Sequence, residues 1–306
     1  MGRLKLPEGK KIAVNLGVDF DAQSLWLGAF NMPSPAMMAR GEFGARVGVP
    51  RLLELFDRFG VRSTFFVPGH TIDTFPEACH DIRDHGHEFG HHGYYHENPT
   101  MIDADTERRL IELALASFDR QLGIRPRGYR SPYWDYSQST LDLIEEFGFL
   151  YDSSLMARDL VPYRPQRWQV NWERASVAGP ASRVLEIPVS WYLDDFPVFA
   201  YVTGVQAGQQ DTETFLRRWK DIFDYGYERV EGACFASAVH PQVIGQAHHI
   251  VAFERLIEYI ASKDGVWFAT CEEIADAWED DDEDRRLMEL PDVRGVEPPP
   301  PGSGWA

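Results

Sequence analysis

The chain has 306 residues, 44% of them hydrophobic, which is ample for a sizeable core in one large α/β domain or two ordinary ones. Its formal net charge of -18 excludes nucleic acid and an anionic membrane surface as partners, because both need a basic patch. Three scattered cysteines, Cys79, Cys234 and Cys271, exclude a disulfide framework and a zinc ribbon.

The start, "MGRLKLPEGKKIAV", carries charge but no apolar secretory core, and no run approaches a membrane span. A cytoplasmic protein with reduced thiols is expected. The first strand is predicted in "KIAVNLGVDF". About 25 residues, "AQSLWLGAFNMPSPAMMARGEFGAR", then intervene before the next helix and read as a long apolar loop. Further strands are expected in "VRSTFFV", "HEFGHHG", "PRGYRS", "FLYDSS", "RVLEIPVS", "ACFASAVH" and "GVWFAT". Amphipathic stretches alternate with them, such as "TERRLIELALASFDRQLG", which ends on the glycine expected past a helix.

Alternating strands and helices predict a parallel sheet with helices outside. Seven or eight repeats, with no glycine-rich dinucleotide fingerprint after the first strand, favour an α/β barrel over an open doubly wound sheet. The expected barrel domain covers residues 1–278, followed by an acidic and proline-rich tail over 279–306.

Barrel enzymes carry their chemistry at the carboxyl ends of the strands. Strand one ends in "GVDFD", and period-two alternation points Asp19 and Asp21 to one side. Strand three runs into His92 and His96, strand four into Arg130, and the late strand into His240. "WYLDDFP" adds Asp194 and Asp195. Taken singly, each has an ordinary explanation as a turn former, a cap or a surface group.

The histidines of "GHHGYYHENP" are a case in point. Ten histidines in 306 residues give about 0.3 pairs at this spacing by chance, and His87 and His91 form a second such pair. On an extended strand that second pair spans about 13 Å, too far to share one ion. His92 and His96 straddle the strand exit, where a turn can bring their rings together. With a carboxylate from Asp21 they make an open, catalytic-type set for a divalent ion such as zinc.

Together these residues resemble the polysaccharide deacetylases that share the NodB homology domain. The acid pair of strand one, "HHGYYH", "RSPY" and the late "VHP" occur in that family's order, over roughly residues 10 to 275. "GVDFDA", "GEFGARVGVPRLLELF", "FFVPGHTIDTFPE", "HGYYHENP" and "WYLDDFP" resemble the branch of cytoplasmic peptidoglycan-deacetylase-like proteins and cyclic imide hydrolases.

The resemblance implies a distorted barrel of seven or eight β/α units and a hydrolase of non-peptide C–N bonds. It assigns Asp19 as general base, Asp21, His92 and His96 as metal ligands, and His240 as general acid. It has Arg130 orienting the base and the Tyr133 backbone N–H holding the oxyanion, and it makes a homo-oligomer plausible.

Trp26, with Trp134, Trp191 and Asp194, is expected to border the substrate. The family's adjacent aspartates are here split as Asp19-Phe20-Asp21, and the apolar segment after strand one can cover the site. The split means that the base need not sit where it does in sugar deacetylases, and a covered site favours a small amide or imide over a glycan strand, with an N-acetylated sugar still in view. A metal-independent, allantoinase-like hydrolase is the alternative enzyme, against which His92 and His96 speak. A catalytically silent ligand-binding barrel is the non-enzymatic one, against which Asp19, Arg130 and His240 speak.

Overall fold

A computed structural model describes residues 2–280 and 295 of the chain. The centre is β1 (Ile12–Asp19), whose eight residues are all buried. Continuous burial of this kind marks a strand covered on both faces. The other sheet strands are β2 (Thr64–Val67), β3 (Glu88–His91), β4 (Gly128–Tyr129), β5 (Tyr151–Asp152), β6 (Leu185–Glu186), β7 (Ala233–Val239) and β8 (Val266–Phe268).

One path runs β7-β1-β2-β3-β4-β5-β6, every pair parallel, while β8 pairs with the first half of β1. All eight predicted strands are present, shorter than the apolar runs that announced them. The result is a curled, parallel half-barrel. Its free edges, β6 and β7, do not pair along their lengths. The chain beyond β6 instead makes a single parallel bridge, Asp194 with Ala238, at the carboxyl end of β7.

Helices pack outside through apolar faces. Among them α1 (Val49–Phe59) buries Val49, Leu52, Leu53, Leu55 and Phe56. The helix α2 (Ala104–Leu122) starts on an Asp103 cap and stops at Gly123, whose φ of +65° is the left-handed turn that glycine supplies.

The segment after β1 departs from the expected loop. It holds a π-turn at Leu25–Ala29, a helix at Pro35–Phe43 and a second π-turn at Gly44–Gly48 that runs directly into α1. Leu25 and Trp26 are buried in the first of these turns, while Leu27, Ala29 and Phe30 are half-buried. At the other end, Trp278–Glu279 pairs antiparallel with Arg3–Leu4. The remainder of the expected tail, apart from Asp280 and Gly295, lies outside the described residues.

Candidate active site

The carboxyl end of β1 places Asp19 and Asp21 on the same side of the chain, with Phe20 between them turned into the core. Asp21 is fully buried, and neither of its carboxylate oxygens has a hydrogen-bond partner. Three imidazole nitrogens face it instead: His92 Nε2 at 3.5 Å, His240 Nε2 at 3.6 Å and His96 Nε2 at 3.9 Å. Burial drives the Asp21 carboxyl well above its usual range, with Asp19, Asp194 and Asp195 adding to the rise.

Each histidine of the predicted pair is aimed by its backbone. The Nδ1–H of His92 donates to the Arg130 carbonyl at 2.7 Å, which leaves the Nε2 lone pair toward Asp21. His96 sits at φ +62°, a left-handed conformation that strains a non-glycine residue. The turn before it is held by Glu97, whose buried carboxylate accepts the backbone N–H groups of Tyr94 and Tyr95. Gly93, at φ +70°, has no room for a side chain: a Cβ there would lie 2.7 Å from Glu97 Oε1 and 2.8 Å from Pro132 Cγ. Burial holds both rings below the ordinary imidazole value, His92 at about 4 and His96 also well below it, so both are neutral donors of a lone pair.

Asp21, His92 and His96 form a set whose ligand atoms lie within 4.8 Å of one another. The two carboxylate oxygens left without partners fit a cation better than any arrangement of the chain alone. Two imidazoles and one carboxylate are a donor set that suits zinc and similar ions. Asp194, Asp195 and His240 make a second group of comparable size. There, however, the contact from His240 Nδ1 to Asp195 Oδ1, 2.7 Å, already uses both atoms in a hydrogen bond.

His91 and His87 lie elsewhere, as the strand spacing requires. His91 stacks on Tyr129, with ring centroids 5.2 Å apart, and accepts the Gly93 N–H. His87 accepts the Ser63 N–H and packs against Phe56 and Phe65.

Asp19 pairs with Arg130 Nη1 at 2.5 Å. Burial alone would raise the Asp19 carboxyl; the charge of Arg130, with His92 and His240, outweighs it and holds Asp19 below its usual value. Arg130 is itself fully buried. Its Nε and Nη2 donate to the Ser153 carbonyl and hydroxyl, both at 2.8 Å, and its cation lies 3.9 Å from the Phe66 ring centroid.

Two residues not predicted from sequence hold this strand exit. Ser154 Oγ donates to Asp152 at 2.7 Å, while the N–H groups of Ser154 and Leu155 both donate to Glu186 at 2.9 Å.

His240 caps a short helical turn (Pro241–Ile244) at the end of β7. Its backbone N–H and Nδ1–H both donate to Asp195 Oδ1, at 3.0 and 2.7 Å. Burial pulls the imidazole down, but the Asp195 hydrogen bond and the charges of Asp194, Asp195 and Asp21 win, and it is pushed up to about 10. Asp195 is thus the close partner of His240. Asp194 stands 3.5 Å from Nδ1 and accepts the Phe196 N–H. Sequence alone did not show which of the two adjacent aspartates bonds His240; the two hydrogen bonds to Asp195 Oδ1 do.

Tyr133 and Trp134 sit at φ +62° and +51°, two consecutive strained residues on the turn after β4. The Tyr133 hydroxyl donates to the Ala29 carbonyl, tying this turn to the segment after β1. Trp134 stacks on Trp191 with centroids 4.4 Å apart, and Trp191 is 44% exposed. Trp26 is placed differently. It is wholly buried, beneath the Arg40 guanidinium at 4.4 Å and beside Phe30 at 5.5 Å, so its ring packs the covering segment.

Comparison with known proteins agrees with this geometry. The family model "Polysaccharide deacetylase" matches residues 42–151. A peptidoglycan deacetylase from Helicobacter pylori is 36% identical over 87% of this chain and 96% of its own length. The chain belongs to the polysaccharide deacetylase family. A peptidoglycan deacetylase-like protein from Gibberella zeae is 31% identical over 89% of the chain and 88% of its own length.

Among solved structures, a protein assigned to the polysaccharide deacetylases from Mycobacterium smegmatis superposes with a TM-score of 0.80 at 33% identity, covering 90% of this chain and 93% of its own. An allantoinase superposes at 0.71 with 25% identity, over 89% and 91%. The family's enzymes hydrolyse C–N bonds other than peptide bonds, and this polysaccharide deacetylase-like chain is a hydrolase of that class; the family's deacetylases are divalent-metal enzymes, and Asp21, His92 and His96 are a candidate set for such an ion. Among the described residues no helix is long and apolar enough to cross a membrane.

Proposed function

We propose that the chain is a metal-dependent hydrolase of compact amides or cyclic imides, with zinc the fitting ion. Enclosure carries this reading. Asp19, Asp21, His92, His96 and His240 are all at least 94% buried, and the segment after β1 closes over them. Gly28 packs so tightly that a Cβ would lie 2.1 Å from the Tyr95 carbonyl oxygen, Tyr133 is bonded to Ala29, and Phe30 stacks on Phe196, itself 5.3 Å from the His240 ring. An enclosed site excludes water from a small substrate but does not admit a polymer.

Hydrolysis adds water across the C–N bond. When bound by Asp21, His92 and His96, the ion supplies Lewis-acid chemistry, acidifying water and polarising the carbonyl. Asp19, kept ionised by Arg130, accepts the proton from water. His240, kept protonated by Asp195, returns one to the leaving nitrogen. The N–H of Tyr133 stands for the oxyanion donor and the strained turn fixes its direction. Asp194, with Trp134 and Trp191, borders the substrate; Trp26 acts through the covering segment.

An N-acetylated sugar is the second reading, favoured by the names of the relatives and by the exposed Trp191 ring, which suits a sugar face. Turnover of succinimide-type rings and of acetylated glycan oligomers, measured side by side, separates the two. Turnover of the rings with little on the oligomers is expected. Efficient glycan deacetylation overturns the small-substrate reading and leaves the metal chemistry standing. A metal-independent mechanism would need these ligands to be idle.

A cytoplasmic homo-oligomer belongs to the same reading. All three cysteines are free and buried, which suits a reducing compartment. The hairpin of Gln166–Gln169 and Val177–Ala181 presents Trp168 and Trp172, 59% and 97% exposed, to a partner. Light scattering that returns a monomer, or fractionation that finds the protein outside the cytoplasm, contradicts that half of the reading.

A further inference from the structure

Behind Arg130 lies a pair of acids that the chemistry above does not use. Asp152 and Glu186 are direct neighbours across the parallel strands β5 and β6, and both are fully buried. One oxygen of each is occupied. Asp152 Oδ1 accepts the Ser154 hydroxyl, and Glu186 Oε1 accepts the N–H groups of Ser154 and Leu155. The other two, Asp152 Oδ2 and Glu186 Oε2, are shut off from solvent and accept no donor of the chain.

Two ionised carboxylates cannot stand side by side in such a place. Like charges opposite one another on neighbouring strands repel, and burial removes the water that would screen them. The cation at hand, Arg130, is already paired with Asp19. The buried Tyr136 hydroxyl beside Asp152 can serve one of the two bare oxygens and not the other. A single proton held between Oδ2 and Oε2 removes one charge and satisfies both oxygens. Burial and the neighbouring Asp152 raise the Glu186 carboxyl well above its usual range, in line with a proton retained there.

The pair sits where its geometry matters to the base. Ser153, the residue after Asp152, supplies the carbonyl and hydroxyl that grip Arg130, so the acids act on Arg130 through it. Ser154, bonded to both acids, accepts the Ser131 N–H at 2.8 Å, at the start of the turn that carries Tyr133. We infer that Asp152 and Glu186 share one proton and, joined by it, are positioning residues that fix Arg130 and hence Asp19. The effect on turnover rests on the hydrolase reading with Asp19 as base; the shared proton does not.

A double-mutant cycle of Asp152→Asn and Glu186→Gln on the metal-loaded protein tests both halves. Either amide alone keeps the occupied oxygen and turns an N–H toward the partner carboxylate, as the shared proton does. Each single variant is therefore expected to hold Tm close to that of the parent and kcat within about threefold. Together the two amides face donor against donor. Tm is then expected to fall by far more than the sum of the single changes, and kcat by about 10²-fold at unchanged KM and metal content, the effect of a ~1 Å misplacement. If the double variant does not fold, Ser154→Ala, which cuts the ties to Asp152 and Ser131, carries the positioning half, with kcat about tenfold lower at unchanged KM expected. The infrared difference spectrum of parent minus Glu186→Gln at neutral pH is expected to show the C=O stretch of a protonated carboxyl. An additive cycle in Tm, or no such band, overturns the shared proton. A kcat left at the parent's value in the double variant or in Ser154→Ala, or metal lost together with activity, overturns the positioning role. If the parent turns over no amide, imide or acetylated glycan, the proposed function fails and the positioning role with it, while Tm and the infrared band still decide the shared proton.

Discussion

Asp19→Asn is expected to lower kcat by about 10³-fold, within the ~10²–10⁴ that a positioned general base contributes, while the protein keeps its metal. The two carboxylates of β1 differ in their surroundings. Asp19 is bonded to Arg130 Nη1, whereas both oxygens of Asp21 lack partners and face imidazoles. Asparagine at position 19 still offers an oxygen to Arg130, so the fold is preserved and only the proton acceptor is lost. Activity and bound metal measured on the same sample decide the matter. If Asp19→Asn loses the ion as readily as Asp21→Asn, the division of roles is wrong.

The same pair sets the pH profile. kcat/KM should rise as Asp19 ionises, below the ordinary carboxylate range because of Arg130, and fall as His240 loses its proton. That alkaline limb stands at about 10 for the chain alone. A cation on Asp21 offsets one of the carboxylates that raise His240 and so moves the limb downward.

Much of this site was legible because strand exits converge in a barrel whatever the strands' lengths. Asp19, Asp21, His92, Arg130 and His240 each follow an apolar run, and the curl of the sheet brings those ends together. His96 was readable only in part. Its approach depends on the left-handed turn at Gly93 and on the buried Glu97, and an acid inside "YYHENP" looks no different from a solvated one.

Asp152 and Glu186 escaped, and Asp195 was named without its link to His240, for a related reason: each acts on another functional residue or on the chain beside it, through contacts between elements far apart in sequence. The covering segment was misread as loop because π-turns shift the register of the apolar residues, which blurs the helical period. Trp26 followed from that misreading.

The second large effect concerns the ligand set. His92→Ala, His96→Ala and Asp21→Asn should each remove the ion and reduce turnover to background, whereas His91→Gln should keep both, since His91 packs between Tyr129 and Phe149 away from Asp21. Binding that favours the native state also stabilises it, by about 2.7 kcal/mol when free ion exceeds its Kd a hundredfold. Chelation should therefore lower Tm in the parent and leave Tm of Asp21→Asn unchanged. A fall in both places the stabilising ion somewhere else.

The most direct test is a titration of divalent metal back into the chelated chain, with bound metal and imide or amide turnover read together. The account predicts that both rise in step and level off at one ion per chain. Full turnover from the metal-free chain, or metal binding that restores none, contradicts it.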